Sequence, residues 1–300
     1  MSVTTQAIPA ADLTARAADS PLVIGRNLLQ IAYLQAITQL VTNEVGNLAT
    51  GDASASGFDR RKLTQRFKHV LWKGNSPGNP WYVVIDTGTD EQWTDALVIG
   101  PGHNLTGLTA VVEADSRTPS GDPWGTTVLS GTIVAGMNVL LHASLMTKAR
   151  YWRISIDGAS TPEATSFWLG KAVQFPTWPL LSSDAPNSFR GAASEVETKS
   201  GIPYRYVEHG ALIERSLAWK VDEHNEGTFL GTDLEDFFTN SNALNGGHSN
   251  FVYVDKPNSA PNSGFICRLT EPTYRPVLRK RGSGDAGFST FGMRIKEVGG

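Results

Sequence analysis

The chain is poor in cysteine, in long apolar runs and in excess positive charge, and each shortage excludes a class of protein. Cys267 is the only cysteine among 300 residues, so stability cannot come from a disulfide within the chain. No apolar run reaches the roughly 20 residues that span a bilayer, and the N-terminus lacks a signal-peptide pattern. With 26 basic and 29 acidic residues, the chain lacks the positive field that attracts phosphate backbones. We therefore expect no membrane insertion and no nucleic-acid binding.

Motifs with a known catalytic mechanism are missing as well. The sequence has no His-Glu-x-x-His, no paired Cys/His spacing, no Gly-x-Ser-x-Gly and no phosphate-binding glycine loop. Asp233, Glu235 and Asp236 offer carboxyl groups of the kind that glycosidases use in pairs. On the first turn of a helix, however, carboxylates simply complement the helix dipole. The sequence predicts no enzyme, no metal site and no cofactor.

Short strands separated by turn residues are what the sequence does contain. The 30 glycines and 16 prolines favour many turns over a helix bundle. Residues 81–86, 96–99 and 151–156 are rich in aromatic and β-branched residues and end at turn-forming residues, as strands do. Because 300 residues exceed the usual size of one β-sandwich, we expect two β-rich domains.

The order of the first strands resembles the discoidin-like, galactose-binding-like jelly roll. The resemblance rests on an aromatic-start strand that ends in Asp86-Thr-Gly88, a second that runs into His103-Asn-Leu105, and a late one that opens on Tyr151-Trp-Arg153. It covers roughly residues 25–160 and implies a discoidin-like β-sandwich in residues 25–165. This fold usually binds or builds rather than catalyses.

The second half resembles siphophage tail-tip and minor tail, or baseplate, proteins. Residues 166–200 form an apolar connector, and residues 201–300 a β-rich tail-assembly domain with a short helix at 230–239, where Thr232 and Glu235 fit a capping box. The residues that carry the resemblance are Phe167–Gly170, Ala218–Trp219, Leu234–Phe238, Phe251–Pro257 and Met293–Val298.

The N-terminal region gives weaker signals. Residues 1–24 are rich in alanine, threonine and serine over much of their length and are predicted to be an N-terminal arm. Between Leu28 and Leu48 the apolar spacing fits a helix, whereas Ile37–Thr42 fits a short strand. The jelly-roll resemblance decides for the strand.

Four residues are candidates for glycan binding. His103 and Asn104 could present an imidazole and an amide to sugar hydroxyls, although asparagine also stabilises turns through its own backbone. Trp93 and Trp124 lie in turn-rich segments and could stack on a sugar ring. Other tryptophans, such as Trp152, lie in strands and fit a core instead.

Two functions follow from the two resemblances. The tail resemblance implies a structural component of a tailed-phage tail tip or baseplate: a homo-oligomer that assembles with other tail proteins, made in the host cytoplasm and located in the virion. The jelly-roll resemblance implies the alternative, a carbohydrate-binding module that attaches to a host-surface glycan. A glycan-degrading enzyme, the third reading, has only the Asp233–Asp236 cluster in its favour.

Overall fold

The computed structural model describes the β-rich core of the chain. The described residues are 4–6, 20–25, 27–29, 71–73, 81–86, 92–115, 126–141, 147–157, 161–175, 188–197, 203–222, 237–238, 249–255, 264–270, 277–279 and 288–298. The strands, in chain order, are β1 Thr4–Gln6, β2 Leu22–Ile24, β3 Trp72–Lys73, β4 Trp81–Asp86, β5 Gln92–Thr94, β6 Ala96–Ile99, β7 Thr109–Asp115, β8 Thr126–Thr132, β9 Asn138–Leu141, β10 Thr147–Ala149, β11 Tyr151–Asp157, β12 Glu163–Ala164, β13 Phe167–Gly170, β14 Ala172–Gln174, β15 Ser188–Glu197, β16 Pro203–Asp222, β17 Phe251–Val254, β18 Gly264–Leu269, β19 Val277–Arg279 and β20 Phe288–Glu297.

Three sheets contain most of these strands. The outer sheet has the order β4-β11-β7-β8, and the middle sheet has the order β1-β9-β6-β13. The large sheet has the order β14-β2-β17-β18-β20-β16-β15, and β19 also pairs with β20. Two-stranded ribbons, β10-β5 and β12-β3, complete the arrangement. Neighbouring strands are antiparallel except β1, which runs parallel to β9.

The first core lies between the outer and middle sheets. Alternate residues of β11, Trp152, Ile154 and Ile156, point into it from the outer sheet, and Leu97 and Ile99 of β6 point into it from the middle sheet. This alternation follows from the pleat, which turns successive side chains to opposite faces. The two sheets therefore form a β-sandwich with a continuous apolar filling.

The second core lies between the middle sheet and the large sheet. Ala96 and Val98, the residues of β6 that do not face the first core, contact this one together with Trp168 of β13. Leu22 of β2 and Val252 of β17 approach from the large sheet. The middle sheet is thus buried on both faces, which explains why residues 96–99 are apolar without interruption.

A third, mainly aromatic cluster covers the other face of the large sheet. Phe175 stacks on Trp219 with ring centroids 4.2 Å apart, and Trp219 stacks on Phe291 at 5.8 Å. Phe237 and Phe238, which are helical, pack against the same cluster. The third core gives the large sheet an apolar filling of its own.

The structure confirms the predicted fold class, while the predicted strand Ile37–Thr42 lies outside the described residues. The chain is mainly β, with a β-sandwich followed by a second β-rich unit, and Phe237 and Phe238 lie in the predicted short helix. Leu28 and Leu29, at the start of the segment whose apolar spacing fits a helix, are helical. The reason is a cap: Oδ1 of Asn27 accepts a hydrogen bond from the backbone N–H of Leu29 at 3.2 Å, and asparagine favours such positions.

Parts of the predicted arm and connector lie within the sheets. The arm segment Leu22–Ile24 is β2, fully enclosed between β14 and β17 of the large sheet. The connector segment Phe167–Gly170 is β13 of the middle sheet, and Ala172–Gln174 is β14 of the large sheet. Trp178 lies outside the described residues. The four-part division of the chain stays a prediction.

Trp168 tests whether the second core joins the middle and large sheets. Its side chain is buried, and Nε1 donates a hydrogen bond to the carbonyl of Gly25 at 2.6 Å. We expect Trp168→Ala to lower the free energy of unfolding by about 3–5 kcal/mol in a single urea transition. Ser130→Ala, at an exposed position of β8, is the control and should change it by less than about 0.5 kcal/mol. Two separate transitions, only one of them shifted, would contradict a shared core.

Candidate functional site

The sandwich has two ends, and the predicted site residues belong to both. At the first, the segments 100–108 and 133–137 cross from one sheet to the other, from β6 to β7 and from β8 to β9. We call it the His103 end. At the second, Asp115 of β7 pairs with Tyr151 of β11, which also pairs with Asp86 of β4. The ribbon of β5 and β10 lies there, and we call it the Trp93 end.

His103 fastens the two crossing segments to each other. Its Nδ1 accepts a hydrogen bond from the backbone N–H of Leu105 at 3.2 Å, while Nε2 lies 2.8 Å from the carbonyl oxygen of Gly136. A lone pair on Nδ1 leaves the proton of a neutral ring on Nε2, so that Nε2–H donates to Gly136. Burial lowers the pKa of His103, and hydrogen bonds to the carbonyls of Gly136 and Val134 oppose that shift. The neutral imidazole is therefore a structural crosslink.

Asn138 lies beside His103, with its amide nitrogen 3.1 Å from Nε2 of the imidazole. Its amide nitrogen donates to the carbonyl of Val134 at 2.8 Å and lies 3.1 Å from that of Gly136, while its oxygen accepts from the N–H of Val134 at 2.8 Å. These bonds close the 133–137 segment into a compact turn, with Gly136 at a φ of 94° that favours glycine. The sequence analysis missed Asn138, because a single asparagine at the start of an apolar strand carries no distinctive pattern.

Asn104 joins the same end to the segment before β13. Its amide nitrogen donates to the carbonyl of Thr161 at 2.8 Å, and its oxygen accepts from the N–H of Glu163, also at 2.8 Å. The backbone N–H of Asn104 donates to the carbonyl of Glu163 at 3.2 Å. Although the residue is exposed, both ends of its amide hold backbone groups. This arrangement fixes the position of the loop.

The Trp93 end is built on a short ribbon. Strand β5 pairs with β10 so that Trp93 is opposite Lys148, with Gln92 opposite Ala149 and Thr94 opposite Thr147. Of the Trp93 side chain itself nothing is described. Trp124 lies outside the described residues, but Asp115 and Thr126, the strand ends on either side of it in sequence, are at this end of the outer sheet.

Buried hydrogen bonds anchor the ribbon to the middle sheet. Thr94 is fully buried, and its hydroxyl donates to the carbonyl of Gly170 at 2.8 Å. Asp95 is also buried, and its Oδ1 accepts from the N–H of Ala172 at 2.6 Å. The backbone at Trp93 is therefore attached directly to the junction between β13 and β14. Sequence reasoning missed these two anchors, whose partners lie more than 70 residues away.

The structure brings two of the four candidates together and separates them from a third. His103 and Asn104 are neighbours at one end of the sandwich, whereas the strand position of Trp93 is at the other. The interactions of His103 and Asn104 are those of loop-fixing residues. Their predicted role in glycan binding stays a prediction.

The described residues offer little for other chemistry. No group of three or more His, Cys, Asp or Glu side chains among them could hold a metal ion. Burial strongly raises the pKa of the Cys267 thiol, so the sulfur stays protonated and is a poor nucleophile. In the same part of the chain, no helix is long and apolar enough to cross a membrane.

The protonation of His103 gives a stability test. A folded-state pKa below the roughly 6.5 of an unfolded histidine means that the unfolded chain binds the extra proton. The free energy of unfolding should therefore fall as the pH decreases from about 7 through the folded-state pKa. The variant His103→Asn keeps a side-chain acceptor for the backbone N–H of Leu105, but its side chain does not titrate.

We expect urea unfolding of His103→Asn to depend less on pH between about 7 and 5 than that of the original protein. The remaining five histidines are present in both proteins, so the difference between the two curves isolates His103. Parallel curves would contradict the role assigned to the neutral ring.

Comparison with known proteins gives only partial resemblances. No protein-family model and no curated protein matches the chain. Among solved structures, it is similar to chitosan-binding module 1 of a chitosanase/glucanase from Paenibacillus sp. IK-5, with 18% identity, 38% of this chain and 86% of that chain covered, and a TM-score of 0.31. It is also similar to the CBM32-1 and CBM32-2 domains of Clostridium perfringens ZmpB, with 17% identity, 40% and 33% covered, and a TM-score of 0.32. A mutant of the lectin binding domain of Lectinolysin, complexed with Lewis b, has 11% identity, 40% and 88% covered, and a TM-score of 0.31. Scores of this size do not determine what the present chain binds.

Proposed function

We propose that this chain is a non-catalytic carbohydrate-binding protein that binds glycan at the Trp93 end of its sandwich. The observation that supports the proposal most is the register of β5 and β10, which sets Trp93 directly opposite Lys148 and therefore at a position on the same face of the ribbon. An indole and an ammonium group are thus carried by paired positions of one face.

These residue types suit a sugar. The face of an indole packs against the apolar C–H face of a pyranose ring, and an ammonium group donates hydrogen bonds to its hydroxyls. Binding sites commonly combine an aromatic surface with a few well-placed polar groups, and the ribbon has this composition.

The anchoring of the ribbon supports the proposal further. Thr94 and Asp95 hold the backbone beside Trp93 through bonds of 2.8 and 2.6 Å to the β13–β14 junction. A preformed backbone reduces the entropy that is lost when a ligand binds. Such rigidity favours recognition of a weakly held ligand like a sugar.

Trp124 is the natural second aromatic residue of this site. It lies in the ten residues between Asp115 and Thr126, which join β7 to β8 at the same end of the sandwich. Two tryptophans could contact successive sugar rings of one chain. His103 and Asn104 are not part of the proposed site, because their polar atoms already hold the loops of the opposite end.

The tail-tip interpretation stays a prediction, together with its virion location, its homo-oligomeric state and its tail-protein partners. It agrees with glycan binding, since a tail component of this kind could attach to a host-surface glycan. No described contact distinguishes a tail protein from another binding protein. The proposal therefore concerns the chemistry of the site and not the particle that carries it.

A glycan array is the direct test of this site. One sugar ring stacked on one indole should bind with millimolar affinity, about −4 kcal/mol, so the array should present the glycan at high density to raise avidity. We expect Trp93→Ala to abolish the signal. Asn104→Ala, at the other end of the sandwich, is the matched control and should retain it.

Two results would contradict the proposal. One is an absence of binding above background across neutral and acidic glycans. The other is binding that survives Trp93→Ala but is lost in Asn104→Ala while that variant remains folded by circular dichroism.

A further inference from the structure

A second candidate surface lies on the large sheet, where strands β18, β20 and β16 extend past the middle sheet. Ile266 of β18 packs against the second core, so the face that it occupies is the one turned towards the middle sheet. Two residues on, Arg268 is on the same face and exposed. Gly292 and Arg294 of β20 are exposed as well, which means that this part of the face is uncovered.

Three cations meet there, and we call them the basic strip: Arg268, Arg294 and Lys296. Arg268 is directly opposite Lys296 in the pairing of β18 with β20. Lys296 and Arg294 follow one another on the same face of β20, because alternate residues Met293 and Ile295 face the third core.

The basic strip has an excess of positive charge. Glu214 of β16 bonds Arg294, with Oε1 3.3 Å from Nε, and is directly opposite Lys296 in the pairing of β16 with β20. Three cations and one carboxylate leave two positive charges. Like charges directly opposite each other in a sheet destabilise it, by roughly 0.2–1 kcal/mol. In this row Lys296 lies between Arg268 and Glu214, so Arg268 is the cation farthest from the carboxylate, and an anion bound beside it would offset its repulsion with Lys296.

The neighbouring positions leave room for a polymer. Ser216 is opposite Arg294, and Ala218 is opposite Gly292, so small side chains border the strip on β16. A polymer beside Gly292 and Arg294 would meet these small side chains, and the exposed hydroxyl of Ser216 can donate a hydrogen bond to it.

We propose that the basic strip binds the carboxylate or sulfate groups of an acidic polysaccharide. Guanidinium and ammonium groups form their strongest hydrogen bonds with such oxyanions. Nucleic acid fits less well, since duplex DNA carries one charge per about 1.7 Å of its axis, whereas the strip has an excess of only two positive charges. The inference extends the proposed carbohydrate binding to a second surface, independent of Trp93.

The test uses the full chain and three polymers: hyaluronan, which carries carboxylates, dextran sulfate, and neutral dextran. We expect one or both acidic polymers to bind at low salt, dextran not to bind, and binding to weaken as salt shortens the Debye length from about 10 Å at 0.1 M to about 3 Å at 1 M. The double variant Arg268→Gln, Lys296→Gln should bind the acidic polymers at least roughly tenfold more weakly than the original protein.

Lys73→Gln is the matched control. Lys73 lies on β3, which pairs with β12, and Lys73→Gln removes one positive charge, as each of the two strip substitutions does. It should bind the acidic polymers as the original protein does. Both altered strip residues are on the open face of the sheet, and an unchanged melting temperature verifies that the double variant folds.

Several results would overturn the inference: no binding of either acidic polymer at low salt, equal binding by the double variant, or tighter binding of a DNA oligomer of equal charge. Acidic-polymer binding that is lost in Trp93→Ala but kept in the double variant would also overturn the inference. The proposal for the Trp93 end would then still stand. Binding that is lost in the double variant but kept in Trp93→Ala would support the strip whatever the outcome for neutral glycans.

Discussion

Burial of the middle sheet on both faces is the constraint on which the rest of the structure depends. Its strands contribute alternate residues to two cores: Leu97 faces the outer sheet, while Val98 faces the large sheet. Neither neighbouring sheet can therefore lose the middle sheet without exposing an apolar face. Trp168 and Asn27 reinforce the junction with buried hydrogen bonds to Gly25 and Phe167. The hydrophobic effect stabilises the three stacked sheets, and the buried hydrogen bonds fix how the sheets are aligned.

This stack determines which surfaces are left for function. With both faces of the middle sheet covered, the ends of the sandwich and the overhanging face of the large sheet remain for ligands. The His103 end is closed by its own hydrogen bonds. The Trp93 end has a ribbon whose backbone is anchored on one side and whose register pairs Trp93 with Lys148. The overhanging face carries the basic strip, in which Arg268, Arg294 and Lys296 share one neighbouring carboxylate, Glu214.

Much of the fold could be predicted from local patterns, because the strands that start the sandwich are apolar, β-branched and bounded by turn residues. Strand β4 has the predicted bounds, 81–86, and β6 has the predicted bounds, 96–99. What the pattern could not show is the partner of each face. A run such as 96–99 fits burial on both sides but does not say which sheets cover it, and Leu22–Ile24 is too short to be distinguished from an arm. The proposed site depends on contacts such as that of Thr94 with Gly170, 76 residues away, which no local pattern encodes.

Amide hydrogen exchange tests the central constraint most directly. If the middle sheet joins the two cores, the amides of Ala96–Ile99, Asn138–Leu141 and Phe167–Gly170 should exchange slowest in the chain, at rates set by global unfolding. The amides of β2 and β17 in the large sheet should share that protection. Exchange of the middle strands that is faster than that of the outer sheet, or protection of β17 that persists when the middle strands open, would contradict the account.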